Sequence, residues 1–125
     1  MVAQQSSSRK ALPRIDRWQN SDITAEWTGR FGSGTQSRLR IQANGGRGTA
    51  LLLSDRYREE FETELSTDMS LLLRPVRVQK TDGSGAVGYL LDTARISLKA
   101  GGDSIVGLTW DGTNRRDYIA MRRIR

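Results

Sequence analysis

From Ile23 onward the chain alternates apolar and polar residues in short runs, and nearly every run stops at a cluster of Gly, Asn or Asp. Ala25, Trp27, Gly29 and Phe31 share one parity, with Thr24, Glu26, Thr28 and Arg30 on the other. Leu39, Ile41 and Ala43 alternate in the same way with Arg38, Arg40 and Gln42. A period of two is the signature of a strand buried on one side, because successive side chains leave a strand on opposite faces. The intervening "GSG" (Gly32 to Gly34), "NGG" (Asn44 to Gly46), "TDGSG" (Thr81 to Gly85), "AGGD" (Ala100 to Asp103) and "DGTN" (Asp111 to Asn114) tolerate the positive φ that tight hairpins demand.

Applied along the chain, this pattern predicts strands over roughly 23–31, 35–43, 47–54, 58–66, 70–80, 86–99, 104–110 and 116–124. The stretch 55–65, "DRYREEFETEL", is ambiguous. Tyr57, Phe61 and Leu65 fall at helical spacing, yet Phe61, Thr63 and Leu65 also alternate with glutamates; the surrounding strands and turns favour a strand. Pro75 and Gly88 require a bulge or an edge. The expected fold class is therefore all-β: a single antiparallel up-and-down meander closing into a roughly eight-stranded barrel, since closure removes exposed edges. Residues 1–22, rich in Gln, Ser and Arg, form no periodic pattern and are expected to be a flexible arm ahead of a barrel domain over 23–125, with Ile15 and Trp18 as candidates to tack its end onto that domain.

The absence of Cys and His narrows the chemistry. It removes thiolate nucleophiles, disulfides, histidine acid–base steps and the soft-ligand metal sites, and no cofactor or metal is expected. The densest acidic group, Glu59, Glu60, Glu62 and Glu64, reads as a solvated strand face neutralised by Arg56 and Arg58. "GRFGSG" and "NGGRGT" lack both the strand-to-helix context and the lysine of a phosphate loop, so hairpin turns account for them. No apolar run approaches bilayer length, and no signal stretch is visible; the chain is expected to be soluble, with its compartment open because a leader could have been removed.

The two ends of the periodic region, "ITAEWTGRF" and "GDSIVGLTWDGTNRRDYIAMRRI", resemble the small barrels of the lipocalin-like (calycin) type. In those barrels an early strand carries a Trp beside a Gly, a late strand carries a Gly before a Trp, and the last strand ends in a basic residue. The resemblance implies that Trp27 closes one end of the core and that Arg122 or Arg123 packs across it, and it implies, by analogy, an internal ligand cavity.

Three roles follow as expectations, none enzymatic. In the first, the barrel holds an apolar or amphipathic small ligand against Trp27, Phe31, Leu39, Ile41 and Trp110. In the second, arginines dock nucleic acid or an acidic protein. Lys and Arg number 20, only Lys10, Lys80 and Lys99 being lysine, and the net charge is +6. Outward Arg30, Arg38 and Arg40 on the first two strands would merge with Arg115, Arg116, Arg122 and Arg123 near the C-terminus into one basic band once the barrel closes. The aromatics assigned to the interior leave no visible platform for stacking bases. In the third, the chain is a structural subunit of a larger assembly. Oligomeric state is open.

Overall fold

The computed structural model describes residues 18–32, 36–44, 47–82, 85 and 91–124. After one helical turn, α1 (Asn20–Ile23), come eight strands: β1 (Ala25–Phe31), β2 (Gln36–Gln42), β3 (Gly48–Leu53), β4 (Tyr57–Leu65), β5 (Leu71–Lys80), β6 (Thr93–Leu98), β7 (Ser104–Trp110) and β8 (Arg116–Arg123). They follow one another around a closed barrel, each antiparallel to the next, and β8 pairs back onto β1. The meander expected from the turn spacing is thus the observed topology. Each strand pairs with a neighbour on both sides, β5 with β6 over Leu71–Leu73 among the described residues, and the closed order leaves no terminal strand.

Alternation translates directly into burial. In β2, Ser37, Leu39 and Ile41 are buried while Gln36, Arg38, Arg40 and Gln42 are exposed. The ambiguous segment is a strand: Glu59, Phe61 and Thr63 of β4 face inward, and its neighbours on both sides supply the ladder that a helix would have forfeited. Glu59 therefore departs from the solvated face expected for all four glutamates. It is 1% exposed, and one carboxylate oxygen accepts the Asp92 backbone N–H at 3.1 Å, which satisfies a charge that burial would otherwise make costly.

Pro75 sits at the expected bulge. The register between β4 and β5 steps from Glu60↔Arg77 to Phe61↔Pro75, leaving Val76 as the extra residue. Beyond that step β5 leaves β6, whose pairing with β5 is limited to Leu71–Leu73. Among the described residues β6 begins at Thr93; the start of the strand expected over 86–99, with Gly88, lies outside the described residues, as do residues 1–17.

One end of the core is built around Trp27. The first strand starts at Ala25, not Ile23, because residues 20–23 coil into α1, where the Asp22 carboxylate accepts the Gln19 N–H at 2.7 Å. That turn delivers the Ile23 carbonyl to the indole N–H of Trp27 at 3.1 Å and buries Ile23 completely. Trp18 joins the same core. The basic residue that packs across Trp27 is Arg123: its guanidinium lies 4.6 Å from the ring centroid and donates to the carbonyls of Asp22 and Gly102. Cation and indole attract through the ring quadrupole, and the carbonyls satisfy the donors that the ring cannot.

Candidate functional site

Four of the five positions expected to line a ligand cavity are packed against other side chains among the described residues. Trp27 and Leu39 are 0% exposed and Ile41 is nearly so, sealed among Leu71, Leu73, Ile96, Ile105 and Ile119; Phe31 retains a sliver of surface and packs obliquely on Phe61, ring centroids 6.1 Å apart. A side chain lining an open cavity presents surface to solvent-sized probes, whereas these present almost none. An apolar guest at these positions would have to displace side chains already in contact, at the cost that overpacking carries.

Trp110, expected with the interior set, lies instead on the outer side of β7. The strand "SIVGLTW" has two possible parities, and its more apolar one, Val106, Leu108 and Trp110, faces out. Ile105, Gly107 and Thr109 face in. Two features hold that choice. A Cβ at position 107 would fall on the backbone carbonyl of Arg95, so only glycine lets β6 and β7 approach this closely. The Thr109 hydroxyl donates to the Thr93 carbonyl at 3.0 Å, so the inward polar side chain is satisfied. Shifting the register by one residue would exchange the two sets.

The outward side chains of β7 and β8 form a continuous field. Leu108 is opposite Tyr118, Val106 opposite Ala120, and Trp110 opposite Arg116. Val106 and Leu108 are each more than a third exposed and Tyr118 is 69% exposed. Arginines stand at all four sides: Arg95 on β6 opposite Leu108, Arg30 on β1 opposite Ala120, Arg116 at one end of β8 and Arg122 at the other. By alternation β7 and β8 place no carboxylate on this face, Asp117 sharing the parity of Ile119 and Met121. Arg30 reaches Asp117 at 3.2 Å and Arg95 donates to the Ser70 hydroxyl at 3.0 Å and to Asp68 at 3.5 Å. Arg116 and Arg122 have no carboxylate within ion-pair distance among the described residues.

The expected basic band is assembled only in part. Barrel closure does set Arg122 beside Thr28 and Arg38 in one cross-strand row, with Arg40 and Arg30 in the rows on either side. Glu26 however sits among them and pairs with Arg40 at 3.1 Å and Arg38 at 3.9 Å. Arg123 is withdrawn to the barrel end over Trp27. Arg115 belongs to the β7–β8 turn, where its backbone N–H is held by the Asp111 carboxylate at 3.2 Å. That carboxylate also accepts from Thr113, and these hydrogen bonds push its pKa below the ordinary aspartate value.

Sequence reading missed the apolar centre of this face because it assigned Trp110 inward; the available signal was Gly107, which marks a close backbone approach rather than a side-chain-bearing core position. Among the described residues no group of acidic side chains is arranged to hold a metal ion, and no helix is long and apolar enough to cross a membrane. The chain matches no family model, no curated protein and no solved structure.

Proposed function

We propose that this barrel is a non-catalytic docking module that binds a negatively charged macromolecular partner through the outer face of β7 and β8. One observation carries the reading: the more apolar parity of β7 is turned to solvent and ringed by arginine, two of whose four side chains have no carboxylate partner among the described residues. Burying Val106 and Leu108 inside would have gained roughly 1.5–3 kcal/mol per side chain. Local rules are broken in this way where a surface is used. Contiguous apolar area supplies affinity, and the arginines supply orientation and steering toward an anion.

The test uses two anionic probes, a polyglutamate peptide and an oligo(dT) strand, titrated against the full chain at low and high salt. Binding to at least one of them is expected to weaken as salt rises, to be lost in Arg116→Glu/Arg122→Glu and to survive in Arg74→Glu/Arg77→Glu on β5, where both arginines are paired with glutamates of β4. Equal loss in both double variants, or no binding at either salt, would sink the reading.

A further inference from the structure

Resting on that docking reading, we propose that the partner is an acidic protein segment which seats an apolar or aromatic anchor against Leu108 and Tyr118, and that it is neither nucleic acid nor a second copy of this chain. The centre of the face decides between the first two. Single-stranded nucleic acid needs a succession of aromatic faces on which consecutive bases stack. Among the described residues Tyr118 is the one highly exposed ring; Trp110 is half-buried at the margin, and the ground between is Val106, Leu108 and Ala120, aliphatic groups with no π surface. An aliphatic and tyrosine centre enclosed by arginine has instead the anatomy of a protein interface, in which Tyr, Trp and Arg dominate the energetics and the rim is polar.

Charge excludes a self-pair. A twofold dimer through this face would bring Arg116 and Arg122 of one copy against the same arginine-rimmed surface of the other, with no outward carboxylate on β7 or β8 to receive them. The N-terminal segment of the chain itself is equally unsuited: residues 1–17 carry Arg9, Lys10, Arg14 and Arg17 against Asp16 alone, the same sign as the rim. Complementarity therefore asks for carboxylates spaced around an apolar anchor. Arg116 and Arg122 are six residues apart on one strand, about 20 Å at the rise of an extended chain, so the carboxylates that reach both lie on either side of the anchor rather than next to it.

The experiment is selection of a displayed random-peptide library on the immobilised full-length chain, followed by affinity measurement of synthetic versions of the enriched peptides. Enriched sequences are expected to combine Asp or Glu with a Leu, Phe or Trp anchor. Their affinity should fall at least tenfold in Tyr118→Ala, in Leu108→Ser and in Arg116→Glu/Arg122→Glu, and stay unchanged in Arg74→Glu/Arg77→Glu. Replacing the anchor by Ser while keeping the acids should cost a similar factor. Melting temperatures are recorded for each variant, all substituted positions being at the surface.

Several results would overturn the inference. Enriched peptides that lack acids, or that bind Tyr118→Ala and Leu108→Ser as well as the parent, would do so. So would oligo(dT) binding more tightly than any peptide and being lost in Arg116→Glu/Arg122→Glu; the docking face would then stand and only its partner class would fail. A dimer seen by sedimentation and abolished by Leu108→Ser would transfer the face to self-association. Binding of neither peptide nor oligonucleotide would remove the docking reading along with this one.

Discussion

The outer surface of the barrel has two contrasting sides. On β4 and β5 charges are matched across the strands: Glu60 pairs with Arg77 at 2.7 Å and with Arg58 at 3.8 Å, and Glu64 pairs with Arg74. Its exposed hydrophobe, Val76, is the single extra residue of the bulge. On β7 and β8 apolar side chains adjoin one another, and among the described residues Arg116 and Arg122 have no carboxylate partner. Both sides rest on the same interior, so core packing does not account for the difference. Cross-strand ion pairs leave a surface self-satisfied; an apolar field whose rim includes arginines without carboxylate partners among the described residues leaves its complement to another molecule.

The contrast depends first on the parity of β7, and the largest expected effect comes from attacking what pins it. Gly107→Val places a side chain on the Arg95 backbone and is expected to cost more than about 3 kcal/mol in denaturant unfolding. A loss below about 0.5 kcal/mol would mean that β7 can move, and that its outward apolar row is not structurally enforced. Next in size, Tyr118→Ala is expected to weaken an anchored acidic peptide by about 30-fold, the factor of a 2 kcal/mol hot spot, with unfolding free energy unchanged within about 0.5 kcal/mol. Val76→Ala should leave peptide binding untouched; equal loss in the two variants would erase the distinction between the sides.

A smaller change is expected from Glu60→Gln, which removes the carboxylate shared by Arg58 and Arg77. Exposed pairs of this kind contribute under about 1 kcal/mol, so unfolding should shift by no more than that. The freed arginines should raise salt-sensitive binding of polyglutamate without raising binding of the anchored peptide, because no apolar field adjoins them. Equal gains for both probes would show that charge alone docks the partner.

The smallest effect is a pH dependence at the margin of the docking face. Hydrogen bonds from the Ser66 and Ser70 hydroxyls, then the Ser70 backbone and the charge of Arg95, pull the Asp68 carboxyl from 3.8 to about 2. A depressed folded value means that the contribution is fully present above the unfolded value near 3.8 and is lost as pH falls through about 2. Acid unfolding of Asp68→Asn should lack that component. A carboxyl titration by NMR with its midpoint at the unfolded value would show that the hydrogen bonds of the Ser66–Ser70 turn do not form.

Strand number, order and closure were legible in the chain because each run of alternating residues is short, stops at a turn cluster and can pair only with its neighbour. The bulge at Pro75 was legible for a covalent reason, the missing N–H. The role of Arg123 was narrowed to two adjacent arginines, and register chose between them: in β8 Met121 faces inward and Arg122 outward, while Arg123 reaches the end of the barrel and turns over Trp27. Where alternation offered two parities of comparable chemistry, periodicity did not decide. Val106, Leu108 and Trp110 look like a core row by composition, and Glu59 looks like one more solvated carboxylate.

The sequence by itself determined a closed β-meander without thiol or imidazole chemistry, because those properties depend on local period, turn residues and residue types. The tertiary structure decided which side of each strand the solvent sees and which charges are neutralised. Those outcomes depend on residues far apart in the chain: Gly107 against Arg95, Asp92 over Glu59, Glu26 between Arg38 and Arg40, and Arg116 and Arg122 left without a carboxylate among the described residues. Burial and ion pairing are properties of neighbours in space, and closure of the barrel is what makes these residues neighbours.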